Sequence, residues 1–176
     1  MPRINIPEGE GEDLQRMRLL QPKMYEGVSA LGLACYRDSQ LPMREREAAR
    51  IRIAHINGCV VCSETRALDM DAYDMDEGFY EDVDDPTKRG RYSTRERLAI
   101  EFAEGFALGK DTMTDAFWAE FRQHYTDEEI MDLAICCVCW LGAGRLNAVL
   151  DVGTSCPVKV IEGGVIMGQR EPAGVR

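Results

Sequence analysis

The chain has 176 residues and a mass of 19.8 kDa, the size of a single domain with a substantial core. Hydrophobic residues make up 45% and charged residues 30%, a balance typical of globular rather than disordered proteins. The formal net charge is -10, from 31 acidic against 21 basic side chains, which excludes nucleic acid and anionic lipid as main partners.

Seven cysteines, an odd number, raise the question of thiol reactivity. The opening residues MPRINIPEGEGED lack the apolar core of a signal peptide, and no stretch approaches the roughly 18 apolar residues of a membrane helix. We therefore expect a soluble, cytoplasmic protein that does not enter membranes and whose thiols are kept reduced unless they perform redox chemistry.

The organisation predicted from the sequence has three parts. Residues 1–12 are polar and contain Pro and Gly, which predicts a flexible N-terminal arm. Residues 13–152 carry helical patterns and form a single all-α domain. Residues 153–176, rich in Gly, Pro and short Val/Ile runs, form a C-terminal tail that could include a strand or wrap a neighbour.

Helical spacing of apolar residues begins at Asp13 and continues to Tyr36, with Pro22 suited to the first turn of a second helix. The next helix is predicted from Pro42 to Ile56, and Asn57-Gly58 has the composition of a C-terminal cap. A further helix is predicted to start at Cys59 and to run to about Met70.

Residues 69–85 carry nine acidic side chains and no Lys or Arg. A calcium loop does not fit, because Gly78 stands at the fifth and not the sixth place from Asp74, so we interpret the segment as a solvated connection. Helix starts follow at Ser93 or Thr94, with Glu96 or Arg97 three residues later as in a capping box, and at Thr114. A further start at Thr126 has Glu129 in a capping box. The final helix is the most apolar, and no alternating pattern predicts a sheet.

The strongest candidate for chemistry is Cys59-Val60-Val61-Cys62. A helix N-terminus stabilises a thiolate, and two cysteines on one turn can close into a disulfide, which suits reduction of a peroxide or a disulfide. Two alternatives remain open. The cysteines could simply be buried in a packed helix, or they could be half of a zinc site, although no second CxxC or HxxxH supplies the other ligands.

The preceding helix offers proton-transferring groups. Glu45, Glu47 and His55 could act as base and relay if this helix folds back toward the thiols. Alternatively, the two glutamates form surface ion pairs with Arg44, Arg46 or Arg50, and His55 is a hydrogen-bonded residue at the helix end.

The remaining cysteines are interpreted as small hydrophobic residues of the core; they are Cys35, Cys136, Cys137, Cys139 and Cys156. Gly142-Ala143-Gly144 lacks the strand and third glycine of a dinucleotide loop and is better explained by close helix packing.

The segment RIRIAHINGCVVCSETRA, with Glu47 twelve residues before Cys59, resembles the signature of the carboxymuconolactone decarboxylase and alkylhydroperoxidase-D-like (AhpD-like) family. The stretches from Thr94, from Tyr125 and from Gly144 to Asn147 follow the order usual for that family. The resemblance covers about residues 20–152.

The resemblance implies an AhpD-like helical bundle that assembles into homotrimers or homohexamers. It implies that Cys62 attacks the substrate, that Cys59 completes a redox-active disulfide, and that Glu47 helps to move the proton. A dithiol protein or lipoyl-type carrier would then reduce the disulfide, with no other cofactor and no metal.

The sequence departs from that family where a relay histidine usually follows the second cysteine, because Arg66 stands there. Arginine does not pass protons near neutral pH, but it can stabilise a thiolate or bind an anionic substrate. His55 could then supply the imidazole.

We expect a thiol-dependent oxidoreductase that reduces a hydroperoxide or a disulfide. One alternative, the other named branch of that family, is a decarboxylase that acts by acid–base chemistry on a lactone acid, a carbonyl or carboxylate substrate that Arg66 could bind. The other is a non-catalytic oligomer.

Overall fold

The computed structural model describes residues 1–153, 158–161 and 164–167. Its helices and strands, in chain order, are α1 Asp13–Arg16, α2 Pro22–Arg37, α3 Met43–Asn57, α4 Val60–Glu64, β1 Arg66–Ala67, α5 Glu77–Glu81, α6 Thr94–Leu108, α7 Asp115–His124, α8 Asp127–Val149, β2 Val158–Ile161 and β3 Gly164–Met167. Short 3₁₀ turns join several of them, among them Met17–Leu20, which links α1 to α2. The all-α class predicted from the sequence is confirmed.

The helix starts follow the local signals in the sequence. Pro22 occupies the first turn of α2. Ser93 and Thr126 each accept a hydrogen bond from the backbone N–H three residues later, and the glutamate at that position, Glu96 or Glu129, bonds back to the cap. These reciprocal bonds satisfy amides that the helix itself leaves unpaired, so the predicted capping boxes are confirmed.

Helix α3 lies at the centre of the bundle. It packs mainly against α6 and α8, while α2 packs against α8. Fully buried residues such as Ala49 and Ile53 of α3 meet Leu98 of α6 and Leu133 of α8 in one apolar cluster. Because α3 is enclosed on several sides, even its charged residues are removed from solvent, and this places the site described below.

Helix α4 is shorter than the sequence pattern predicts. It ends at Glu64 and not near Met70, because the backbone becomes extended at Thr65 and the next two residues form strand β1 of a small sheet. The strand order is β1-β2-β3. Strand β1 runs parallel to β2, and β2 runs antiparallel to β3. The sequence did not predict a strand at residue 66, because a strand of two residues is too short to show an alternating pattern. In the tail, where the sequence allowed for a strand, two strands are present among the described residues.

The acidic segment 69–85 is more than a solvated connection, so that interpretation is wrong in part. Its acidic side chains are mostly exposed, but Phe79, Tyr80 and Val83 are buried against the bundle, and α5 forms within it. The apolar residues between the acids provide enough buried surface to fix the segment in place.

Both ends of the chain contact the bundle within the described residues. The Arg3 amide donates to the Leu150 carbonyl oxygen at 2.9 Å, and β2 pairs with β1. Cys156 lies outside the described residues, and the division at residues 12 and 152 stays a prediction. Within the described part of the chain, no helix has the length and apolar character needed to cross a membrane.

Candidate active site

The two cysteines of the CxxC motif lie at the start of α4, directly after the end of α3. Gly58 ends α3 with φ 63°, a left-handed conformation that favours glycine, and Cys59 caps α4. The Cys59 sulfur accepts a hydrogen bond from the Cys62 amide at 3.3 Å, and the two sulfurs are joined in a disulfide. Cys59 is almost fully buried, whereas Cys62 is partly exposed.

A cavity of about 460 Å³ adjoins this disulfide. Cys62 lines it, and Cys59 does not. The walls are largely apolar; their apolar members include Leu14, Val28, Leu33, Val61, Trp140, Val158, Ile161 and Val165. The cavity has the size and character of a small-molecule site, and it reaches only the second cysteine.

A buried ion pair of α3 supports the backbone of α4. Arg50 makes two hydrogen bonds to the Glu47 carboxylate, at 2.7 and 2.9 Å. The same guanidinium donates to the carbonyl oxygens of Cys62, at 2.7 Å, and of Thr65, at 2.9 Å. The Tyr80 hydroxyl donates to Glu47 at 3.1 Å. One guanidinium thus connects the fully buried Glu47 to the turn that carries Cys62.

The opposite charges of Arg50 and Glu47 stabilise each other at a position that is buried from solvent. Burial alone would lower the pKa of Arg50, but the charge and hydrogen bonds of Glu47 raise it. Burial, reinforced by the Glu47 charge, raises the pKa of the Tyr80 hydroxyl, which therefore stays a hydrogen-bond donor. Arg50 is accordingly a permanent cation in the cavity wall.

The predicted site residues do not all converge. Glu47 lies beside Arg50 behind the CxxC turn, buried rather than in a surface pair, and Glu45 instead pairs with Arg95 at 2.7 Å. The His55 ring bonds Asp84 at 2.9 Å and does not line the cavity.

Arg66 does not line the cavity and has partners other than the two cysteine sulfurs. Its guanidinium donates to the carbonyl oxygens of Ser63 and Thr65, pairs with Glu77 at 2.9 Å and lies 4.5 Å from the Tyr80 ring centroid. Arg66 closes the end of α4, and Arg50 is the cation that contacts Cys62.

Several cavity residues were missed by sequence reasoning. Tyr36, Trp140 and Asn147 are buried polar or aromatic residues in the wall. Burial raises the pKa of the Tyr36 hydroxyl, and the neighbouring Trp140 N–H opposes that rise without making a hydrogen bond of ordinary geometry. No local motif marks these three residues. The only local signal of the buried ion pair was the spacing of Glu47 and Arg50, which are three residues apart on a helix.

The other predictions about cysteine and glycine hold within the described residues. Cys35, Cys136, Cys137 and Cys139 are free and buried in the core. Gly144 lies so close to α3 that an added Cβ would stand 2.6 Å from the Asn57 amide nitrogen, which confirms the packing interpretation for Gly144; a Cβ on Gly142 would meet no described atom within 4 Å. Nowhere in 1–153, 158–161 and 164–167 do three or more potential metal ligands cluster.

Comparisons with known proteins agree with this architecture. The carboxymuconolactone decarboxylase family model matches residues 22–68, from α2 through β1. Among curated proteins, no sequence matches this chain.

Two solved structures each cover 86% of the chain. One is a protein of unknown function from Agrobacterium tumefaciens, described as a candidate AhpD antioxidant defence protein, with 20% identity, a TM-score of 0.67 and 96% of its own chain covered. The other is the alkylhydroperoxidase AhpD core of an uncharacterized peroxidase-related protein from Ralstonia eutropha JMP134, with 18% identity, a TM-score of 0.70 and 91% covered.

The solved structures share the fold of this chain, and the family model matches the segment that carries Glu47 and the CxxC motif. The chain therefore has the fold of the AhpD-like structures, and its segment 22–68 is similar to the carboxymuconolactone decarboxylase family, in agreement with the resemblance seen in the sequence.

Proposed function

We propose that the protein is a thiol-dependent oxidoreductase that reduces a hydroperoxide, or a disulfide, through Cys62 and Cys59. The observation that carries this proposal is the unequal placement of the two sulfurs. Cys62 lines an apolar cavity. Cys59 is joined to Cys62 by the disulfide, is almost fully buried and does not line the cavity. This is the arrangement that an attacking thiol and a resolving thiol require.

In the reduced protein, the Cys62 thiolate attacks the outer oxygen of the hydroperoxide and the O–O bond breaks. The alkoxide takes up a proton and leaves as an alcohol, and Cys62 becomes a sulfenic acid. The Cys59 thiol then attacks the Cys62 sulfur, forming the disulfide and releasing water. A dithiol protein or lipoyl-type carrier returns the disulfide to two thiols and is itself oxidised to a disulfide.

The buried ion pair has two parts in this proposal. Arg50 binds the Cys62 carbonyl oxygen and fixes the turn, and its charge in the cavity wall favours the thiolate over the thiol. Glu47 holds Arg50 in place and, by the family resemblance, takes part in moving the thiol proton. His55 and Arg66 have other partners, so we give neither a direct part in the reaction.

The two cysteines can be tested separately. After reduction, wild type, Cys59→Ser and Cys62→Ser are mixed with cumene hydroperoxide, without and with a dithiol reductant. We expect turnover only in wild type. Cys59→Ser should consume about one equivalent of peroxide and gain a sulfenic acid at Cys62, while Cys62→Ser should consume none. Cys137→Ser, which changes a buried core cysteine, is the control and should keep turnover.

Other outcomes would refute the proposal. Activity of any kind that survives Ser at both positions would favour the decarboxylase alternative. Slow alkylation of both thiols across pH, with no peroxide consumed, would favour a non-catalytic protein.

We also propose that the protein is a homo-oligomer. The α8 helix is buried on one face, yet the opposite face carries an apolar stripe of exposed residues: Met131, Ile135, Val138, Leu146 and Val149. Their spacing places them within about a quarter of the helix circumference, over roughly 27 Å of its length. A helix that is apolar on both faces is normally covered on both, and a second copy supplies an equally apolar surface.

A further inference from the structure

The cavity contains a cation that is not neutralised by any acidic side chain of the described residues. Arg18, from the 3₁₀ turn Met17–Leu20, lines the cavity, and its guanidinium carbon lies 5.0 Å from the Tyr25 ring centroid. Among the described residues it makes no ion pair, and its buried Nε has no hydrogen-bond partner. Its neighbour Arg16, in contrast, is paired with Asp13.

Within the described residues, two more polar groups of the wall are buried without a hydrogen bond of ordinary geometry. They are the Asn147 side-chain oxygen and the Trp140 indole N–H, which lies beside the Tyr36 hydroxyl; the two residues are 9% and 8% exposed. Buried polar groups are normally satisfied, so orphaned groups that line a cavity indicate a ligand with complementary polar atoms. Arg18 and Trp140 offer donors, and Asn147 offers an acceptor.

These groups lie near the reacting sulfur. The Cys62 sulfur stands 3.6 Å from the position that a Cβ on Gly144 would take. Trp140 lies four residues before Gly144 and Asn147 three residues after it, which is about 6 Å and 4.5 Å along the α8 axis. All three residues line the cavity with Cys62. A ligand in this cavity that bonds to Trp140 and Asn147 therefore lies close to the Cys62 sulfur.

We propose that the cavity takes a substrate with an apolar body and an anionic head, a hydroperoxide of an organic carboxylic acid, and that Arg18 binds its carboxylate. This inference rests on the proposed function, since it assigns the substrate class of the same site. The apolar walls remove the body of the substrate from water, and the guanidinium fork matches a carboxylate. The net charge of -10 repels anions at long range, so a local cation has to select them.

The experiment compares two probes that share one apolar body, cumene hydroperoxide with a para-carboxylate and its uncharged methyl ester. For the reduced wild-type protein with a dithiol, we expect kcat/KM for the acid to exceed that for the ester by about ten- to a hundredfold, the effect of charge-assisted hydrogen bonds. Arg18→Met should remove this preference by lowering kcat/KM for the acid to about that for the ester. Arg18→Lys should keep most of it, and Arg16→Met, which changes the paired neighbour, should leave it intact.

Binding is measured separately so that the two proposals can fail independently. Cys62→Ser protein is titrated with para-isopropylbenzoate and its methyl ester by calorimetry, with and without Arg18→Met. If the acid binds tighter and Arg18→Met abolishes the difference while wild type reduces no peroxide, the proposed function is wrong and the anion site stands. If acid and ester bind and react equally, or Arg18→Met leaves the preference unchanged, the anion site is refuted, whatever the turnover.

Discussion

The contact between Gly144 and Asn57 gives a sharp test of how closely α8 approaches the CxxC region. The Asn57 amide donates to the carbonyl oxygens of Trp140 and Leu141 at 3.2 and 3.3 Å. A Cβ on Gly144 would stand 2.6 Å from the same amide nitrogen. Gly144→Ala therefore forces the amide away from both carbonyl groups or separates α8 from α3.

The expected effect combines opposing contributions. Alanine is favoured over glycine inside a helix by about 1 kcal/mol. Overpacking costs about 1–3 kcal/mol, and each lost hydrogen bond costs about 1 kcal/mol more. We expect a net loss of about 2 kcal/mol in the free energy of unfolding, equivalent to a fall in Tm of about 4–8 °C for a chain of this length.

Urea denaturation followed by circular dichroism measures this loss, and Gly27→Ala is the matched control. Gly27 lies inside α2, is exposed, and would bring its Cβ near no other atom, so its replacement should stabilise the protein by about 0.5–1 kcal/mol. In an Asn57→Ala background the cost of Gly144→Ala should fall by more than half, because the clashing amide is gone. Stabilisation by Gly144→Ala equal to that by Gly27→Ala would refute the reasoning.

Three further predictions concern charge and surface. Glu47→Gln should lower the free energy of unfolding by about 3–5 kcal/mol, since it leaves Arg50 buried without its counter-charge, and chemical denaturation should find Asp38→Asn, in an exposed pair, nearly neutral. His55→Ala should leave the alkylation rate of reduced Cys62, measured by mass spectrometry, within twofold of wild type. A larger drop would show that His55 takes part in proton transfer at the thiols. Val138→Asp should yield smaller species in sedimentation than wild type while keeping the helical spectrum, and an unchanged sedimentation coefficient would contradict the proposed interface.

The candidate site could be predicted only in part from the sequence. The CxxC motif, its position after a glycine cap and the presence of Glu47 upstream could be predicted, because each depends on residues a few places apart. The spacing of Glu47 and Arg50 indicates an ion pair, but the burial of this pair could not be predicted, because the charged residues of α3 have the composition of a solvated helix face and charged residues are seldom buried. Only the packing of α6 and α8 around α3 turns those residues inward.

The sequence by itself determined where the helices of this protein begin, since capping boxes and proline at a first turn act within a few residues. The tertiary structure decided where α4 ends, because β1 pairs with β2 some ninety residues away. It also decided which cations reach the cavity, placing Arg18 and Arg50 there and turning Arg66 to Glu77. The physical reason is range: a cap satisfies its own helix, whereas burial and ion pairing depend on which distant segments pack together.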